Sequence, residues 1–147
     1  MKNIVFTLLA LLVSSGLFLS NASAHCEIPC GIYDDATRMT LILEHTTTIE
    51  KSMNMINELE KSNDNANQLV RWVSNKERHA EMLQEIVTQY FMTQRIKFDT
   101  PDYDKKLAAL HKLLVFSMKC KQTTDLVNVE KLRAAADEFH NLYFKHE

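Results

Sequence analysis

The sequence predicts an all-α protein: an antiparallel up-down bundle of four helices preceded by an irregular N-terminal segment. Three observations predict it. Beyond residue 24 the chain has one glycine, Gly31, and two prolines, Pro29 and Pro101, so residues that interrupt helices are nearly absent. Its apolar residues recur at intervals of three and four, and no segment shows the alternation of a strand. The polar runs between the periodic segments are short, which makes successive helices antiparallel neighbours.

The first element is not part of the bundle. Lys2 supplies a positive charge, Ile4 to Leu19 an apolar stretch, and Ala22-Ser23-Ala24 a small-residue cleavage site, the pattern of a signal peptide removed after Ala24. As a membrane anchor the stretch falls short of the ~20 residues a bilayer requires. The expected organisation is a signal peptide over 1–24, a metal-binding hook over 25–33 and the bundle over 34–147. The protein is then exported, to the periplasm or the extracellular space, with no membrane attachment after processing.

The first helix spans Asp35 to Lys61, with Asp34 or Asp35 as its cap and Met39, Ile42, Leu43, Thr46, Ile49, Met53, Ile56 and Leu59 on one stripe. Ser62-Asn63-Asp64-Asn65 is a turn. The second helix carries Leu69, Trp72, Val73, His79, Ala80, Leu83, Ile86, Val87 and Tyr90 and ends before Thr100-Pro101. The third runs from about Asp102 to Lys121 with Leu107, Leu110, Leu114 and Ser117 inward. The fourth, capped near Asp125, carries Leu132, Ala135, Phe139, Leu142 and Tyr143.

At 147 residues the chain is one domain with a core of its own, and 46% hydrophobic with 24% charged residues is the balance of a globular protein. A formal net charge of -2 lacks the basic excess of a nucleic-acid binder. Serine triads, Gly-rich phosphate loops and dinucleotide-binding patterns are absent from the sequence.

What carries chemistry is the segment that cleavage would expose: His25-Cys26-Glu27-Ile28-Pro29-Cys30-Gly31-Ile32-Tyr33. A freed α-amine at His25, the deprotonated amide nitrogen of Cys26 and the Cys26 sulfur can bind one ion through two fused five-membered chelate rings. Pro29 and Gly31 let the chain turn so that the Cys30 sulfur takes the fourth corner, and the His25 imidazole can reach an axial position. A planar set of two nitrogens and two sulfurs suits nickel or copper, whereas zinc prefers a tetrahedron.

This string resembles the nickel hook of the nickel-containing superoxide dismutases: His, both cysteines, Pro, Gly and Tyr all fall in place, and the hook starts where the signal peptide ends. The bundle resembles the family in kind and length. The resemblance implies an antioxidant oxidoreductase converting superoxide to oxygen and hydrogen peroxide through divalent and trivalent nickel, with one nickel ion per chain and assembly into a homohexamer. It implies His25, Cys26 and Cys30 as metal ligands, and Tyr33 facing the open axial side where superoxide approaches. It also implies a cis bond before Pro29. Glu27 stands where the family often has aspartate, a side chain that is not a ligand.

The family orients its axial imidazole with a glutamate on the first helix and an arginine on the second. Counted from the hook, the glutamate position falls on Leu41, with Glu44 one turn later, and the arginine position falls on Arg78 or His79. Cys120 reads as a free, partly packed thiol. His45, His111, His140 and His146 read as solvated or packed, and the seven methionines as core filler. Lys51, Lys61, Lys105 and Lys106 read as solvated charges that could steer an anion. Two other functions fit the terminal residues: an exported nickel or copper trafficking protein using the same ligands, and a structural module in which Cys26 and Cys30 form a disulfide.

Overall fold

The computed structural model describes residues 31–61 and 65–145, and all four helices belong to one compact unit, Ile32–Glu147. Helix α1 is Asp35–Leu59, α2 is Ala66–Glu85, α3 is Tyr103–Gln122 and α4 is Val127–Phe144. Helix α1 packs on α2 and α4, and α3 on α2 and α4, closing the bundle around one core. The described residues contain no strand. None of the described helices is long and apolar enough to cross a membrane.

Helix α1 begins as its sequence dictates. Asp34 is the cap, its carboxylate accepting from the Thr37 backbone N–H at 2.9 Å and from the Thr37 hydroxyl at 2.8 Å. The helix tolerates a run of threonines because each hydroxyl bonds back to a carbonyl four residues earlier: Thr46 to Ile42 at 2.8 Å, Thr47 to Leu43 at 2.9 Å and Thr48 to Glu44 at 3.0 Å. Thr46 can therefore be buried at no cost in unpaired polar atoms. The expected turn at Ser62, Asn63 and Asp64 lies outside the described residues.

Helix α2 does not stop at Glu85. It continues as a ten-residue π-helical segment, Ile86–Arg95, closed by the Ile96 N–H donating to the Phe91 carbonyl at 2.9 Å. Thr93 and Gln94 reinforce the wider turn by donating to carbonyls five residues back, those of Thr88 at 2.7 Å and Gln89 at 2.8 Å. The helix ends before Pro101, as expected, and the chain re-enters α3 through Asp102, whose φ of 55° is a left-handed value that aspartate tolerates.

The core contains Ile42, Ile49, Met53, Leu83, Val87, Phe91, Leu110, Leu113, Leu132 and Phe139, all fully buried. Burial of a side chain of this size contributes about 1.5–3 kcal/mol. The stripes of α1 and α4 are as read, apart from half-buried Leu43, Leu59, Leu142 and Tyr143. On α2, Val73 is exposed and Leu69 and Trp72 are half-buried.

On α3 the face is rotated from the reading: Lys106, Leu110, Leu113, Ser117 and Cys120 point inward, while Leu107 and Leu114 are half-buried. The spacing of that seam is four, three, four, three, the repeat of helices packed side by side. Lys106 was expected in solvent and is 4% exposed. Its stem packs inward and its ammonium lies 5.5 Å from the Tyr143 ring centroid, where the aromatic face receives the charge.

Candidate functional site

Of the predicted site residues, His25, Cys26 and Cys30 lie outside the described residues, and Tyr33 lies within them. The chain approaching Tyr33 carries the mark of a tight turn. Gly31 has φ +74°, a left-handed value that side chains rarely adopt, with open space where a Cβ would stand. Backbone conformation, and not crowding, makes glycine the fitting residue there. Ile32 is 81% exposed, and Tyr33 is the next of the described residues.

Tyr33 is 41% exposed and touches two residues of the π segment. The Arg95 guanidinium carbon lies 4.4 Å from its ring centroid, and the Tyr90 ring meets it edge-on at 5.9 Å and 72°. Both residues converge on Asp35, in the first turn of α1. Arg95 donates to the Asp35 carboxylate through Nε at 2.9 and 3.0 Å and through Nη2 at 2.7 Å. Tyr90 donates its hydroxyl proton to Asp35 Oδ1, Tyr143 of α4 donates to Oδ2 at 2.7 Å, and the Asp34 backbone N–H donates to the Tyr90 oxygen at 3.0 Å.

Arg38 adds a second cation, 5.1 Å from the Tyr90 ring centroid.

The charge states of this cluster follow from its contacts. Burial alone would raise the Asp35 pKa, but hydrogen bonds from Arg95, Tyr90 and Tyr143 outweigh it and hold the carboxyl below its ordinary range. Burial and then the hydrogen bond to Asp35 push Tyr90 up to about 12, and the same two causes raise Tyr143. The hydrogen bond to Asp35 raises Arg95. Near neutral pH Asp35 is a carboxylate, Arg95 a guanidinium, and Tyr90 and Tyr143 are neutral phenols. The cluster is built to hold shape, since none of these groups is poised to exchange a proton.

The π geometry makes the cluster possible. Residues five apart on an α-helix point roughly 140° apart, so Tyr90 and Arg95 could not both reach Asp35 from one. A turn closed between residues i and i+5 brings them to the same side. Sequence reading placed Tyr90 and Tyr143 in the core and assigned Asp35 no role beyond a possible cap. It missed Arg95 altogether. The available hint was an arginine and a tyrosine five apart at the end of a long helix, beside an acidic pair following the hook.

The expected partners of the axial imidazole separate. Glu44 and Arg78 are exposed and Leu41 is a half-buried aliphatic, while His79 is half-buried against α1. Its Nδ1 lies 3.0 Å from Nδ1 of buried His45, with the rings 5.0 Å apart and inclined at 66°. One ring must donate and the other accept. Burial, then the neighbouring His79, lowers the His45 pKa, against a weaker pull upward from Glu44.

Cys120 is fully buried, a stronger burial than the reading gave it. Burial pushes its thiol up to about 11 against the pull of Lys76, so it is an unreactive packing residue. Among the described residues, no group of three or more His, Cys, Asp or Glu could hold a metal ion.

A family model described as nickel-containing superoxide dismutase matches residues 20–147, a span that includes both the terminal segment and the four helices. No curated protein and no solved structure matches the chain.

Proposed function

We propose, from the premise that the chain belongs to the nickel-containing superoxide dismutase family, that its nickel is held by His25, Cys26 and Cys30 and cycles between Ni(II) and Ni(III). As a member of that family the chain is an oxidoreductase with a nickel cofactor, acting on superoxide. The observation that carries the ligand assignment is the donor set. Within the matched residues, the stretch from His25 to Cys30 offers an α-amine, an amide nitrogen, an imidazole and two sulfurs. The described residues offer no competing set.

Bound there, nickel would supply the one-electron couple that oxidises one superoxide to dioxygen and reduces a second, with two protons, to hydrogen peroxide. The chain's own groups must meet three conditions. Both cysteines must be thiolates, since the thiolate is the ligand form. The His25 α-amine must be free, which requires removal of residues 1–24 by the export machinery. Tyr33, three residues after Cys30, would narrow the approach on the open side, and a small anion needs no larger pocket. Export to the periplasm or extracellular space and assembly of the bundles into a homohexamer belong to the same reading. The signal-like leader supports the first, and exposed Val70, Met82, Phe98 and Met118 offer apolar surface for the second.

The test uses the feature that separates this hook from an internal pair of cysteines. A chain beginning at His25 is compared with one carrying an added Met, matched for helicity by circular dichroism. We expect about one nickel per chain and nickel-dependent superoxide decay only in the first, because acylating the α-amine removes its basic lone pair. Equal activity in both would rule out the amine as a ligand. A nickel-loaded protein showing only background decay would point to metal carriage instead of turnover.

A further inference from the structure

We propose that Asp35 and Arg95 are positioning residues for the dismutase site, acting through Tyr33. The inference rests on the reading of Tyr33 as a residue of that site. Within the unit that holds the helices, Ile32 is solvated, and the Tyr33 ring lies under the Arg95 guanidinium and against the edge of Tyr90.

Those contacts form a closed circuit. Arg95 grips Asp35 through two nitrogens, and Asp35 follows Tyr33 by two residues, so backbone, ring, guanidinium and carboxylate return on themselves. A second circuit runs from the Asp34 N–H to the Tyr90 hydroxyl and from there to Asp35. Tyr143 adds a donor from α4, tying the first turn of α1 to the last turns of the bundle. A ring held this way cannot swing outward without uncovering the guanidinium face, and the guanidinium cannot follow it without leaving the carboxylate. The ten-residue π segment is what brings Tyr90 and Arg95 to the same side.

The experiment is a double-mutant cycle on the nickel-loaded protein beginning at His25, combining Arg95→Gln with Tyr33→Ala, and with Arg95→Lys as the conservative variant. Nickel content and helicity are measured alongside kcat and KM, and the Tyr33 ring resonances are read by NMR in metal-free protein with isotope-labelled tyrosine. Arg95→Gln is expected to lower kcat by about tenfold to a hundredfold, the range that misplacement of a site residue produces. Nickel content and helicity should hold, and the Tyr33 resonances should move. Arg95→Lys keeps a cation but loses the two-nitrogen grip, and should fall between Arg95→Gln and the parent.

When Tyr33 is already Ala, Arg95→Gln should cost nothing more. Losses that multiply in the double variant, or Tyr33 resonances unchanged by Arg95→Gln, would overturn the proposal. If the parent protein itself lacks nickel-dependent activity, the functional reading fails, and the ring resonances still decide whether Arg95 holds Tyr33.

Discussion

Two histidines on neighbouring helices show how much a single contact decides. Sequence reading left His45 as a solvated or packed residue, and it is packed: its Nδ1 lies 3.0 Å from that of His79, with which it shares one hydrogen bond. His45 is buried, and its pKa falls below the ordinary 6.5, from burial first and from the neighbouring His79 second, with Glu44 opposing. The unfolded chain then binds the proton more readily than the folded one. This stabilisation is complete above about pH 6.5 and fades as the pH drops toward the lower folded value. Urea midpoints of the metal-free protein should therefore fall between pH 7.5 and pH 5.5, and His45→Gln should flatten that fall. A variant with the same pH slope as the parent would remove His45 from the explanation.

Phe91 is the other residue with a measurable prospect. It is fully buried, with the rings of Tyr90, Phe139 and Tyr143 at 5.1, 4.9 and 5.4 Å. Phe91→Ala should cost about 3–5 kcal/mol of folding free energy, read as a lower urea midpoint. A loss below about 1 kcal/mol would mean the neighbouring rings collapse into the gap.

Elements depend on their ends. Lys76, nearly buried on α2, donates from Nζ to the carbonyls of Cys120 and Lys121 in the last turn of α3. A cation at a helix C-terminus meets carbonyls that have no partner within the helix and the negative end of its dipole. Lys76→Met keeps the buried stem but not the donors, and should destabilise the bundle by about 1.5–3 kcal/mol. Unchanged stability in that variant would show that water satisfies the carbonyls equally well. The first helix and the π segment contrast in legibility. The cap at Asp34 could be read because capping is a local event within three residues. The π segment could not, since its apolar positions continue the α-helical stripe and only the hydrogen-bond register tells the two apart.

For the molecule as a whole, the three cysteines fall into two classes, one in the bundle and two in the N-terminal stretch of the sequence. Cys120 is sealed in the core, its thiol raised to about 11 by burial, whereas Cys26 and Cys30 are the proposed ligands. Reduced, metal-free protein should therefore present about two reactive thiols, which oxidise readily to a disulfide and then resist nickel loading until reduced. Nickel-loaded protein should present none until it is unfolded, when all become reactive. Equal thiol reactivity with and without nickel would count against ligation by both sulfurs.

The sequence by itself determined the helical class, the helix count and most of the buried face, because periodicity, caps and the scarcity of helix breakers are local properties of the chain. It also supplied the terminal donor string, since chelation by adjacent backbone and side-chain atoms is written in consecutive residues. Only the tertiary structure decided which charges are hidden and which distant groups meet. Lys106 is charged and so read as solvated, until the packing of α3 placed it against Tyr143. Asp35 lies 60 positions from Arg95 and 108 from Tyr143, and His45 lies 34 from His79. Such pairs leave no mark on local periodicity. They form because packing brings the helices together, and because a π turn moves Arg95 onto the same side as Tyr90.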